Sequence, residues 1–248
     1  MKTIWIDEVD STNSYLREHR EEVPAMTMVA AHTQRAGRGQ RGNSWESEPG
    51  KNLTFSFRIE HPELRPAEQF AISEAVALGM VEFLRTRGIE AMVKWPNDIY
   101  VDNRKISGIL IENSILGDWI SDSIVGIGLN VNQTIFKSDA PIPVSMIHAA
   151  MRHTLYPPTF TEYNLREVAA SVGEVLETYV GRLSDPKALH EEYKARLWRG
   201  DGGLYPFRDR ANGERFEASI KDVELTGHLL LQTATGERLY AFKEVAFL

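Results

Sequence analysis

The sequence predicts an α+β protein: a mixed or antiparallel central sheet with helices, followed by a small SH3-like β-barrel at the C-terminus. Three observations predict it. Short β-prone runs closed by Gly, Asn and Asp occupy the centre of the chain. Apolar residues recur at helical spacing after Pro66 and again between Leu165 and Leu197. Beyond Gly200 the composition changes to evenly spaced, very short β-prone runs.

Met26 to His32 is apolar and β-prone, a buried strand. From Leu53 to Ile59 apolar residues alternate with Thr54, Ser56 and Arg58, which predicts a half-buried strand. Pro66 opens a helix carrying Phe70, Ala71, Ala75, Leu78, Val81 and Leu84 on one face, and Gly88 ends it. Ala91–Lys94 and Ile99–Val101 read as short strands around a Trp95-Pro96-Asn97-Asp98 turn. Lys105–Glu112 and Ser123–Val131 are hairpin partners across Gly117-Asp118. Val144–Leu155 is a short helical candidate, Leu165 to Tyr179 a longer amphipathic helix, and Pro186 starts another. Asp201-Gly202-Gly203 marks a boundary, dividing a large domain (1–199) from a small one (200–248). The tail then has runs at Arg215–Ile220, His228–Thr233 and Arg238–Phe242.

Composition excludes several functions. With 248 residues and 42% hydrophobic content the chain can bury a sizeable core. Its net charge of -7 works against non-specific nucleic-acid binding. It has no cysteine, so disulfides, thiolate nucleophiles and cysteine-ligated metals are ruled out. Seven histidines form no ligand pair, and no zinc site is expected. The first eight residues contain acids where a leader would need an apolar run, and no window could span a bilayer. A cytoplasmic protein with no membrane partner is the expectation.

Five segments carry candidate chemistry. Gly37-Arg38-Gly39-Gln40-Arg41-Gly42 spells a dinucleotide fingerprint, yet a strand and no helix follows Gly42, so that reading fails. What remains is a loop whose glycines let amides approach an anion and whose Arg38 and Arg41 offer forked donors. Lys94-Trp95-Pro96-Asn97-Asp98 is ordinary turn chemistry by itself, placed at a strand end where functional loops concentrate. Lys105 enters an apolar strand and can meet a developing oxyanion, although strand-end lysines more often just snorkel. Ser11-Thr12-Asn13 reads as a helix cap that could instead satisfy a ligand's polar groups. Gly126-Ile127-Gly128-Leu129-Asn130 is either a bulged strand or one approached closely by another group. Asn130 has the donor and acceptor pair that reads an adenine edge.

In order and approximate spacing these segments, with Gln34, Trp45 and Gly108, resemble biotin protein ligases from about Ser11 to Asn132. The resemblance implies a class II synthetase-like biotin/lipoate ligase catalytic domain. It implies ATP-dependent formation of biotinyl-5'-AMP and transfer of biotin to a lysine of a biotin carboxyl carrier domain, typically on acetyl-CoA carboxylase. By the same resemblance Ser11, Thr12, Asn13 and Gln34 line the biotin end. Arg38, Gly39 and Gln40 lie over biotin and phosphate. Lys105 contacts the carboxylate or bridging oxygen, and the backbone at Gly108 lies against the ligand. Trp45 packs on adenine, with Lys94, Asn97 and Asn130 on the nucleotide side. Lys105, Arg38 and Arg41, with a magnesium ion, supply the cations for catalysis; Asp98 is a candidate for helping the metal, and no protein metal site is assigned. Biotin and ATP enter as substrates.

Two departures bear on these expectations. Some relatives carry arginine at the place of Gln40, so this loop has one charge fewer. Others carry a DNA-binding segment ahead of the Ser-Thr-Asn element; with that element at residue 11, an enzyme without DNA binding is expected. A homodimer through edge strands is compatible with the family. The competing reading is a lipoate-protein ligase or lipoyl transferase of the same fold, against which the Gly-Arg-Gly loop and the full Lys-Trp-Pro-Asn-Asp run weigh. A module that binds carrier domains without modifying them is disfavoured by Arg38, Lys105 and Asn130.

Overall fold

A computed structural model describes residues 1–39, 42–137, 142–151 and 161–248. Seven strands form the large sheet: β1 (Thr3–Val9), β2 (Met28–Gln34), β3 (Leu53–Glu60), β4 (Met92–Lys94), β5 (Asp98–Val101), β6 (Arg104–Leu116) and β7 (Trp119–Leu129). Their order is β1-β2-β3-β7-β6-β5-β4. β1 runs parallel to β2 and every other pair is antiparallel, so the sheet is mixed. The edge strand β1 was not anticipated, because Asp7 and Glu8 interrupt its apolar pattern. The hairpin β6–β7 is longer than its apolar cores indicated and turns at Gly117, which has φ +61°.

Helices α2 (Phe70–Thr86), α4 (Leu165–Val180) and α5 (Pro186–Ala195) share one core with the sheet, α2 packing against the other two. The expected helix at Pro66 begins as a separate 3-10 turn, Pro66–Glu68, before α2 proper. The short α3 covers Met146–Met151; residues 152–155 of that expected helix lie outside the described set. On the opposite face lies α1 (Thr12–Glu18), packed on β2, β3 and β7.

This second cover corrects one expectation. β3 is buried on both faces, not half-buried. Phe55 and Phe57 sit in the helix-side core, while Thr54, Ser56 and Arg58 are buried beneath α1 and the segment that follows it. Arg58 donates to the carbonyls of Arg20 and Val23 and pairs with Asp122 and Glu60. A buried guanidinium is tolerable only with such pairing of its terminal nitrogens; Nε alone has no partner.

The C-terminal domain is a five-stranded antiparallel sheet: β8 (Tyr205–Asp209), β9 (Arg215–Val223), β10 (Leu229–Thr233), β11 (Gly236–Tyr240) and β12 (Val245–Phe247), ordered β11-β10-β9-β8-β12. β8 went unread because it is short and interrupted by proline and arginine, and β12 because it is only three residues long. Trp95 joins the two sheets: its Nε1 donates to the Gly227 carbonyl at 2.9 Å and its ring meets Phe242 at 5.9 Å. Gly227 is needed here, since its φ is +88° and a Cβ would stand 2.6 Å from the Phe70 ring.

Between α2 and α5, Glu74 is buried and shares a 2.6 Å hydrogen bond with His190 Nδ1. Burial pushes the Glu74 carboxyl up to about 7, against the pull of His190. The folded protein therefore holds a proton that the unfolded chain releases near the ordinary carboxylate pKa. Stability should fall as pH rises from about 4.5 to about 7, by roughly 3 kcal/mol. Glu74→Gln should flatten that slope, as read by urea unfolding at pH 5, 6, 7 and 8; an equal slope in both proteins would refute the coupling.

Candidate functional site

The face of the sheet beneath α1 lacks side chains at three positions. Register places Thr54, Gly128 and Gly108 in one row, and Ser56, Gly126 and Leu110 in the next. A Cβ at Gly126 would lie 2.2 Å from Asn13 Oδ1, and one at Gly128 2.2 Å from the Trp45 ring. At Gly108 it would meet the Lys105 ammonium and Trp45 at 3.1 Å. The glycines are thus explained by close approach, not by a bulge; the one irregularity of this hairpin lies at Ser114/Ile115.

Above this floor opens a cleft of about 430 Å³. One end is a relay of side chains. Thr12 N and Oγ1 donate to Gln34 Oε1 at 2.9 and 3.2 Å. Thr12 Oγ1 meets Ser56 Oγ at 2.6 Å, and Ser56 Oγ donates to Asn13 Oδ1 at 2.5 Å. Asn13 Nδ2 then donates to Glu112 at 2.7 Å. Ser11 occupies the N-cap position of α1 and is buried at the cleft, but its side chain makes no capping hydrogen bond. Burial pushes the Glu112 carboxyl up, yet Asn13, Arg38 and Arg17 outweigh it and hold the group below its usual range.

The other end is cationic. Among the described residues Arg38, Lys94, Lys105, Arg210 and Lys243 line the cleft, and Asp98 is its one acid. Lys105 Nζ pairs with Asp98 at 2.6 Å and lies 5.5 Å from the Trp45 ring centre. Burial holds the Lys94 ammonium below the usual lysine range; Asp98 opposes this, and Lys105, Arg199 and Arg210 reinforce it. Such an excess of cations in a cleft suits an anionic ligand of several charges.

The loop from Gly37 is a hairpin held by Gly39 N to Asn43 O (2.6 Å) and Trp45 N to Gly37 O (2.9 Å), with Gly42 at φ +85°. Arg38 reaches back to Glu112 at 3.2 Å. Gln40 and Arg41 lie outside the described residues.

Of the sequence candidates, Ser11, Thr12, Asn13, Gln34, Arg38, Gly39, Trp45, Lys94, Asn97, Asp98, Lys105 and Gly108 all line this cleft. Asn130 does not. It is buried beside the cleft, donating to Val144 O at 3.1 Å and Lys105 O at 3.4 Å, with no partner at Oδ1. Asn97 spends its amide on the Ile109 carbonyl. Trp45 rests on the glycine floor with an unpartnered buried Nε1. Sequence reasoning missed Ser56, which the alternation of β3 already put on a polar face with Thr54, and Glu112. It also missed the wall given by the C-terminal domain: Arg210, Phe242, Lys243 and Val245 to Phe247. No motif or periodicity signals that wall.

A mixed sheet with a glycine floor, a glycine–arginine hairpin over it and a small β domain closing its cationic end defines a class of two-domain ligase folds. The family model described as "Biotin/lipoate A/B protein ligase family" matches residues 5–130. A biotin–[acetyl-CoA-carboxylase] ligase of Paracoccus denitrificans is 32% identical over 247 residues, covering 96% of this chain and 97% of that one. The chain belongs to this family. The bifunctional ligase/repressor BirA of Escherichia coli is 37% identical over 126 residues, covering 50% of this chain. That match spans only 38% of the relative, so the chain corresponds to about two fifths of its length. A biotin protein ligase from Aquifex aeolicus, solved in complex with biotin and ATP, superposes with a TM-score of 0.79 at 24% identity, covering 100% of this chain and 98% of that one. That likeness establishes the fold.

Gly126→Ala should drive Asn13 from its place and break its bond to Ser56. The expected cost is about 1–3 kcal/mol of stability with an unchanged far-UV spectrum. Wild-type stability in urea would show that Asn13 is not fixed by this contact.

Proposed function

We propose that this chain is an ATP-dependent biotin protein ligase. It joins biotin to ATP, giving biotinyl-5'-AMP and pyrophosphate, and passes the biotinyl group to a lysine of a biotin carboxyl carrier domain such as that of acetyl-CoA carboxylase. The observation that carries this reading is the cleft's polarity: a hydrogen-bonding end around Thr12, Asn13 and Gln34, and an end where Lys94, Lys105, Arg210 and Lys243 face one acid, Asp98. A ureido ring suits the first and a triphosphate the second. Residues 1–199 would hold both substrates, with residues 200–248 closing the nucleotide end.

In the first step a biotin carboxylate oxygen attacks the α-phosphorus and the bond to pyrophosphate breaks. Two anions must be brought together, so positioning and charge neutralisation dominate. In this reading Lys105, which pairs with Asp98 at 2.6 Å beside the glycine floor, and Arg38 supply the neutralising charge, with Arg41 as a further candidate from the sequence motif. In the second step the acceptor amine attacks the acyl carbon and AMP leaves. The hairpin from Gly37 can shield the adenylate from water in between. Trp45 and Asn97 lie on the adenine side in this reading, with Asn130 supporting that side from beside the cleft through the carbonyls of Lys105 and Val144. Magnesium would arrive on the phosphates: no group of three His, Asp or Glu side chains among the described residues could cage a metal, and Asp98 is engaged by Lys105.

Lys105→Ala should lower adenylate formation by about a hundredfold or more, the scale of losing one charge-stabilising group, while leaving thermal stability near that of the parent. Activity that survives the change would remove Lys105 from the mechanism. Pyrophosphate release in ATP and magnesium should require biotin; turnover with lipoate alone would replace the assignment by lipoate ligation.

A further inference from the structure

Lys94 ends β4 and lines the cationic end of the cleft. The acid nearest to hand, Asp98, is taken by Lys105 at 2.6 Å. The Lys94 ammonium instead donates to the Tyr100 hydroxyl at 3.0 Å. It also faces three aromatic rings: Tyr100 at 4.9 Å, Phe247 at 5.4 Å and Trp198 at 6.0 Å from their centres. These rings come from three separate parts of the chain: β5, the segment after α5, and β12 of the C-terminal domain. They also support one another, Tyr100 lying 5.2 Å from Trp198 and Trp198 5.8 Å from Phe247. Trp198 is fixed further by its Nε1 bond to Asn103 at 3.2 Å.

A carboxylate partner would cancel the charge of an ammonium. Ring faces hold it by their quadrupoles and leave its charge uncancelled, an attraction that grows when water is excluded. We propose that Tyr100, Trp198 and Phe247 form an aromatic box that positions Lys94, un-neutralised, for the triphosphate of ATP. β12 thereby becomes a positioning element for nucleotide binding although it sits on the other sheet. This rests on the reading of the cleft as a biotin–ATP ligation site. Burial works against the Lys94 charge, a cost that the rings offset in part. Burial lowers the affinity of Lys94 for its proton, Asp98 opposes that, and Lys105, Arg199 and Arg210 add to it. Burial also holds the Tyr100 hydroxyl neutral, far above the usual phenol range, so the box brings no negative charge of its own.

The test is calorimetric binding of non-hydrolysable α,β-methylene ATP to the full chain with biotin present. Phe247→Leu keeps an apolar side chain and removes one ring; it should weaken binding about fivefold. Phe247→Tyr restores the ring and should return affinity to within about twofold of the parent. In the pyrophosphate assay Phe247→Leu should raise KM for ATP by the same factor, with kcat and KM for biotin unchanged. General loosening would move all three. Unchanged nucleotide affinity in Phe247→Leu, or no recovery in Phe247→Tyr, overturns the box. Should Phe247→Leu not fold, Tyr100→Leu removes a second ring of the box and should weaken binding about fivefold; no change there overturns it equally. A parent protein that binds the analogue but forms no biotinyl adenylate would refute the biotin assignment and leave the box standing. One that binds no analogue would refute both.

Discussion

The structure depends on one constraint: the face of β6 and β7 under α1 must stay bare. Gly108, Gly126 and Gly128 allow Lys105, Asn13 and Trp45 to lie directly on the backbone of the sheet. Everything on that face is arranged around this closeness. Asn13 is low enough to bond both Ser56 of β3 and Glu112 of β6, so the start of α1 is tied to two strands at once. Glu112 in turn takes Arg17 of α1 and Arg38 of the hairpin, so a single carboxylate links helix, sheet and loop. Alanines on that floor would lift the whole polar layer and loosen each of these links. Glycine weakens a strand intrinsically, and here the cost is offset by a sheet that is covered on both faces through β3.

The run Lys94 to Asp98 performs several tasks in five residues. Trp95 fastens the C-terminal domain through Gly227 and Phe242. The Pro96 carbonyl accepts from the buried Tyr193 hydroxyl of α5 at 3.3 Å. Asn97 ties the turn to β6, and Asp98 holds Lys105. Its neighbours in space are thus the helix core, the small domain and the ligand-facing floor. A turn with this many partners is fixed by packing from all sides, which suits the placing of two lysines to within hydrogen-bond tolerance.

Much of this was legible in the sequence. The helical spacing around Leu78 and Val172, the hairpin across Gly117 and the alternation in β3 are local patterns, and local patterns survive into the fold. The candidate residues from Ser11 to Gly108 were legible because most belong to short motifs and the rest, Gln34 and Trp45, follow from the resemblance those motifs carry, and the structure gathers nearly all of them on one cleft. What sequence could not supply was long-range. Glu112 sits at the end of an apolar run and reads as a surface acid until Asn13, Arg17 and Arg38 are seen around it. Arg210 and Phe247 belong to a domain whose docking is decided by Trp95, more than a hundred residues earlier. Asn130 shows the limit of a motif: it belongs to one, yet it lies beside the cleft with its amide on the carbonyls of Lys105 and Val144.

The Lys105–Asp98 pair gives the cleft the character of an ion exchanger. Its cation is never bare: an entering anion must displace a carboxylate already held at 2.6 Å. A singly charged, strongly hydrated ion gains little from that trade, because it gives up its water for a position that Asp98 fills well. A ligand that arrives with several oxygens, and engages other cations of the cleft as well, can drive the exchange and release Asp98. The resident carboxylate would thereby favour ligands of several charges over singly charged anions.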